Sequence, residues 1–149
     1  MLIYLDTCSI QRPLDDRSQP RINLEAEAIV TVPDLIESGD IDLLSSELLE
    51  FEIRQTPDTI RGIRAREILS VAGMSAEVSE AVRTRARELM SSVGVMAMDA
   101  LHVAVAMEYH ATYFCTCDDK LLKKLKALNK TLPPYFVSPL ELAAEVTSL

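Results

Sequence analysis

Four short strand-like runs, at residues 2–5, 41–44, 113–116 and 135–137, are separated by stretches whose apolar residues recur at helical spacing. No other feature constrains the chain as much. Strands joined through helices pair in parallel, so the alternation predicts one α/β domain over residues 1–149 built on a parallel sheet. Neither a repeat nor a linker interrupts it.

The first run, Leu2 to Leu5, is almost continuously apolar, as suits a strand buried on both faces. It stops at Asp6. Open α/β sheets bind ligands just beyond the carboxyl ends of their strands, so a carboxylate there is placed for chemistry. Aspartate also simply ends strands and caps helices, so Asp6 alone decides nothing.

A polar loop is expected over residues 11–20, then a helix over 22–38 that Pro33 must kink or break. Gly39 is a natural stop. After the second strand, Ser45 or Ser46 can cap a helix reaching about Gln55. Two further helices fit residues 58–71 and 75–92, parted by Gly73. Residues 95–110 form a nearly all-apolar helix, hence a buried one, and 118–128 a lysine-rich amphipathic helix. Ser138-Pro139-Leu140-Glu141 reads as a capping box with proline at the first helical position, opening a terminal helix.

The balance of 48% hydrophobic and 26% charged residues is globular, which sets aside disordered and collagen-like chains. No apolar run reaches the roughly 18 residues a bilayer needs. The N-terminus carries no basic segment and Asp6 interrupts its apolar stretch, so no signal peptide is expected and the location is read as cytoplasmic. Cys8, Cys115 and Cys117 are an odd set, read as reduced thiols. The spacing of Cys115 and Cys117 is taken to send them to opposite faces of a strand, against a shared zinc ion. A net charge of −8 argues against binding nucleic acid by charge neutralisation. It leaves room for an enzyme that reaches a phosphodiester through divalent cations, or for a basic partner.

Four acids stand out once the elements are placed. Asp6 follows the first strand and Asp118 the strand at 113–116. Asp99 opens the buried helix, where an unpaired charge is costly, and function is preferred there over capping. Glu52 lies in the helix after the second strand, in competition with Glu47 and Glu50, and shares the apolar side with Leu48. Asp118 and Asp119 each taken alone are more simply helix caps. Two like charges about 4 Å apart repel by roughly 4 kcal/mol at an effective dielectric near 20. Several carboxylates without basic partners therefore call for a divalent cation. Oxygen ligands suit Mg²⁺ or Mn²⁺. His102, one turn after Asp99, reads as a satisfied core residue or a support for a ligand.

LIYLDTCSI, SSELLEFEI, MDALHVAVA and FCTCDDKLLKK together resemble, in order, the four acidic motifs of the PIN domain family. The resemblance spans essentially the whole chain. It implies a central parallel sheet of about four to five short strands with helices on both sides. It also implies an Mg²⁺- or Mn²⁺-dependent ribonuclease that leaves a 5′-phosphate, many such proteins being VapC-type toxins of toxin–antitoxin pairs. Carried over by motif, Asp6, Glu52, Asp99 and Asp118 are the catalytic and metal-binding acids. RNA would be the substrate, an antitoxin protein a partner, and a homodimer the expected assembly. Cys8 departs from the asparagine or serine that many members carry. Arg12 and the lysines of the helix at 118–128 are candidate phosphate contacts, and Ser9 and Thr116 auxiliary hydroxyls. The main alternative is a PIN-like binding or regulatory module with little or no nuclease activity. A phosphoryl-transfer domain fits less well, because the phosphatase pattern wants a second aspartate where Cys8 stands.

Overall fold

The computed structural model describes residues 1–57, 59–128 and 131–147. Asp58, the expected first residue of one helix, lies outside them. Five strands, β1 (Leu2–Leu5), β2 (Asp42–Ser46), β3 (Met74–Ala76), β4 (Tyr113–Cys115) and β5 (Tyr135–Val137), form one sheet in the order β3-β2-β1-β4-β5. Every pairing is parallel. The helices are α1 (Thr7–Gln11), α2 (Pro20–Val30), α3 (Val32–Glu37), α4 (Glu47–Arg54), α5 (Thr59–Leu69), α6 (Glu80–Val93), α7 (Ala97–Glu108), α8 (Asp119–Leu128) and α9 (Pro139–Thr147).

From β1 the chain adds β2 and β3 on one side, then returns to add β4 and β5 on the other. The strand order therefore reverses between β1 and β4. At such a switch point the loops leaving the two strands part in opposite directions and open a crevice at the carboxyl edge. Asp6 leaves β1 and its amide donates to Cys115 O of β4 at 3.1 Å, which puts the two loop starts side by side.

The core follows from the apolar runs. Ile3, Tyr4 and Leu5 are wholly buried, as are Val103, Ala104, Val105 and Ala106 of α7. Helix α7 packs on α6, and α2 on α9. The expected capping box is made: Glu141 N donates to Ser138 Oγ at 3.2 Å, and Ser138 N donates to Glu141 Oε1 at 3.1 Å.

Three local expectations change. Gln11, expected to open the polar loop, instead ends a helix over residues 7–11, because Asp6 Oδ1 accepts from Ser9 N at 3.0 Å and so caps a turn that begins at once. The helix expected at 22–38 is two helices broken at Thr31, with Pro33 in the first turn of the second, where its missing amide costs nothing. The helix expected from residue 75 begins only at Glu80, and Met74–Ala76 is the edge strand β3. Met-Ser-Ala has little strand preference of its own, and pairing with β2 supplies it.

The thiols also depart from expectation. Cys115 Sγ and Cys117 Sγ lie 3.8 and 3.7 Å from the same Ser9 hydroxyl. They share a face, as residues two apart on an extended segment do.

Candidate active site

The carboxyl edge holds an open cleft of about 290 Å³ lined by Asp6, Thr7, Cys8, Gln11, Glu52, Met98, Asp99, His102 and Asp118. All four acids singled out by the sequence line it, although they come from four elements spread over 113 positions of the chain. The competing acids go elsewhere. Glu47 Oε2 accepts from Val78 N at 2.9 Å, Glu50 Oε1 accepts from Ser75 Oγ at 3.2 Å, and Asp119 pairs with Arg21.

Asp6 is 6% exposed and owes its place to β1, whose burial fixes the direction in which the chain leaves the sheet. Its Oδ1 accepts from Ser9 N and, at 3.1 Å, from Cys8 Sγ. Asp118 stands just before α8, and its Oδ1 accepts from Lys120 N at 3.0 Å and Leu121 N at 3.1 Å. Its own amide donates to Thr116 Oγ1 at 3.1 Å. Glu52 sits in the second turn of α4, a helix started by Ser46, whose Oγ accepts from Leu49 N at 3.0 Å. Thr7 Oγ1 donates to Glu52 Oε1 at 2.9 Å, and His102 Nε2 contacts the same oxygen.

A common pattern emerges. Asp6, Asp118 and Glu52 are each held through one carboxylate oxygen, and among the described residues the other oxygen has no protein partner. For the two aspartates the capping role and the place in the cleft are one geometry. A carboxylate clamped by backbone amides on one side keeps a fixed lone pair on the other.

Asp99 differs. It lies in the first turn of α7, whose N-cap, Met96, makes no side-chain cap, and among the described residues Asp99 has neither a hydrogen-bond donor nor a cation. Burial first, then the charges of Asp118 and Asp6, push its carboxyl above the ordinary range, with Glu52 adding and His102 opposing. The positive end of α7 is the compensation the backbone offers. For Glu52, burial raises the carboxyl, but the His102 contact and the Thr7 hydroxyl outweigh it and hold it below the usual range.

Among the described residues, no three His, Cys, Asp or Glu side chains stand arranged to hold a metal ion. The acids share a cleft without already converging on one point. Cys8 hydrogen-bonds Asp6 and lies 3.6 Å from Thr116 Oγ1. Its neighbour Cys117, then burial and the Asp6 carboxylate, push its thiol far up, so it remains a neutral donor to Asp6.

Some auxiliary readings do not survive. Arg12 turns inward to Asp15 at 2.9 Å and to the fully buried Glu25 at 3.1 Å, which removes it as a phosphate contact. Lys124 Nζ donates to Gly94 O at 3.1 Å, and Lys126 Nζ pairs with Glu141 at 2.6 Å. Ser9 donates to Cys115 O at 3.1 Å and sits beneath Asp6, not in the cleft lining. The sequence reading missed Thr7 and Tyr4. Tyr4 carried a signal, since a phenol at an inward strand position must find a buried partner.

The sequence matches the family model described as PIN domain over residues 3–128. Among curated proteins none matches. Several solved structures share the fold. The VapBC2 structure from Rickettsia felis, bound to a DNA fragment from its promoter, aligns at TM-score 0.57 and 14% identity, covering 92% of this chain and 97% of that one. FitAB bound to the IR36 DNA fragment aligns at TM-score 0.60 and 19% identity, covering 92% and 94%. PAE2754 from Pyrobaculum aerophilum aligns at TM-score 0.60 and 14% identity, covering all of this chain and 91% of that one. No helix among the described residues is long and apolar enough to cross a membrane.

Proposed function

The chain belongs to the PIN domain family, and we propose that it is a divalent-metal-dependent endoribonuclease, the toxin of a VapBC-type pair. The observation that carries this reading is the crowding of Asp6, Glu52, Asp99 and Asp118 into one cleft with no arginine or lysine among its lining residues. Burial, and after it the charges of Asp118 and Asp6, raise the Asp99 carboxyl there, which supports reading the cleft as electrostatically incomplete without a cation.

The donor chemistry fits Mg²⁺ or Mn²⁺. The available ligands are carboxylate oxygens: Asp6, Asp118 and Glu52 each present one while the other is clamped, and Asp99 is unclamped. Asp6, Asp99 and Asp118 would hold the ion, with Glu52 beside them. When bound, such an ion activates water and offsets the charge that develops on a phosphodiester.

The chain's own residues supply the frame. Ser9 N and the Cys8 thiol fix Asp6; the first amides of α8 fix Asp118. The rigid sheet edge holds these against one another, which keeps a substrate phosphate in register. An antitoxin is the proposed protein partner, supported by the fold shared with VapBC2 and FitAB. A second copy of the chain is the proposed assembly partner, by family resemblance alone.

A binding module without useful catalysis has one observation in its favour: the Cys8 thiol occupies Asp6 where a stronger polar donor is usual in the family. Calorimetry with Mn²⁺ separates the readings, because a module need not bind the ion. The decisive experiment is cleavage of RNA in Mg²⁺ or Mn²⁺ by Asp99→Asn and Asp118→Asn. Both folded variants are expected to lose at least about a hundredfold of activity. Undiminished cleavage would remove the assignment.

A further inference from the structure

Beneath the cleft runs a line of buried polar groups. Ser46 Oγ lies 2.9 Å from Tyr4 Oη, Tyr4 Oη lies 2.6 Å from His102 Nδ1, and His102 Nε2 meets Glu52 Oε1. The line starts at the cap of α4 and ends within that helix, passing through β1 and α7 on the way. Ser46 and Tyr4 are 0% exposed and His102 4%. Water cannot satisfy these groups, so each proton must find a protein acceptor.

That requirement fixes the direction of the chain. Ser46 Oγ already accepts from Leu49 N as the cap of α4. If Tyr4 also donated to it, the hydroxyl proton of Ser46 would be buried with no acceptor among the described residues. Ser46 therefore donates to Tyr4, and Tyr4 donates to His102 Nδ1. With its lone pair used at Nδ1, the imidazole carries its proton on Nε2 and donates it to Glu52 Oε1. The Thr7 hydroxyl donates to the same oxygen at 2.9 Å. Every donor in the line is used once.

We infer that His102 is a positioning residue, aligned by Tyr4, that holds Glu52 by one oxygen and reserves the other for the metal-and-substrate side of the cleft. The inference rests on the nuclease reading above and deepens it. Without the imidazole, Glu52 would keep only Thr7, and its partly exposed side chain could rotate. With it, the carboxylate is tied to the cap of its own helix through two other elements of the core. Support of this kind beneath a ligand is generally worth tenfold to a hundredfold in metal affinity or activity.

Two measurements test it. In ¹⁵N NMR of the metal-free protein, His102 should show a pyrrole-type Nε2 and a pyridine-type Nδ1. Tyr4→Phe, which preserves the ring and removes only the hydroxyl, should abolish that fixed pattern. By calorimetry with Mn²⁺ alone, His102→Leu should bind about tenfold more weakly, and His102→Gln, which restores an N–H donor, should recover part of the loss. On RNA, kcat of His102→Leu should fall about tenfold to a hundredfold with KM unchanged. A proton on Nδ1 in the wild-type protein overturns the inference, as does wild-type Mn²⁺ affinity in His102→Leu. The tautomer and the Mn²⁺ affinity are read without RNA, so a wild-type chain that cuts no RNA would overturn the nuclease reading alone.

Discussion

Two acid-rich regions lie close together in this molecule and solve the same problem in opposite ways. Near the start of α2, the fully buried Glu25 faces Arg12 at 3.1 Å and Arg21 at 3.8 Å, while Asp15 meets Arg12 at 2.9 Å and Arg61 at 3.0 Å. Asp119 pairs with Arg21 as well. In the neighbouring cleft, among the described residues, Asp6, Asp99 and Asp118 pair with no cation, and Glu52 meets only the His102 imidazole. The boundary between the two regimes falls between adjacent residues, Asp118 and Asp119. Arg21 holds the Asp119 carboxyl below its ordinary range, while burial, with the neighbouring carboxylates, holds Asp99 above. Under the proposed function, the bare cluster is the one left open to a cation from solution, while the other is already satisfied by arginine.

The contrast can be broken most sharply in the cleft. Asp6→Asn keeps a side chain that can cap α1, so stability should change little, yet RNA cleavage in Mn²⁺ should fall about a thousandfold, measured beside the wild type in a single-turnover assay. Unchanged cleavage would make the bare cluster no more functional than the paired one.

The next effect belongs to the paired cluster and runs the other way. Arg12→Met leaves Glu25 buried without its nearest cation, which should cost about 3 kcal/mol in urea unfolding, or roughly 6–12 °C in Tm. Cleavage below the transition should persist. A loss under about 0.5 kcal/mol would mean that Arg21 alone suffices for Glu25.

Asp99 gives a smaller effect of opposite sign. Its carboxyl is raised in the folded protein, so between the ordinary aspartate value and the raised one the native state holds more protons than the unfolded chain. Stability from this group is therefore present at low pH and lost as pH rises through that window. In metal-free protein at neutral pH, Asp99→Asn should raise Tm by about 1–3 °C, a modest figure because the group is partly solvent-screened. Added Mn²⁺ should raise the wild-type Tm and not the variant's. A lowered Tm in the variant would show that the carboxylate is paired in solution.

The smallest change is expected at Asp119→Asn, which removes an exposed ion pair and should alter stability by less than about 0.5 kcal/mol. Cleavage should be unaffected, in contrast to Asp118→Asn one residue away. Equal losses at the two positions would erase the boundary drawn between them.

Much of this was legible in the residues. The alternation of short apolar runs with helical stretches implied a parallel α/β sheet, and LIYLD marked where its first strand ends. MDALHVAVA announced a buried helix, because no face of it is polar enough to meet water. Glu52 over Glu47 and Glu50 followed from which side of α4 is apolar. The edge strand β3 was illegible, since Met74–Ala76 takes its conformation from β2 and not from its own side chains. The error over the thiols was one of geometry: residues two apart on a strand share a face, and both sulfurs meet Ser9.

The sequence by itself determined most of the elements, the acids at the strand ends and the family, because these depend on local periodicity and on which residues follow a buried strand. Only the tertiary structure decided how each acid is used. Arg12 was free to meet a phosphate on paper and is committed to Glu25 in the fold, since a buried carboxylate takes the nearest guanidinium. His102 and Tyr4, 98 positions apart, form a single hydrogen-bonded line to Glu52. The physical reason is that a buried proton must be matched with an acceptor wherever the fold brings one, and sequence spacing does not tell which partner that will be.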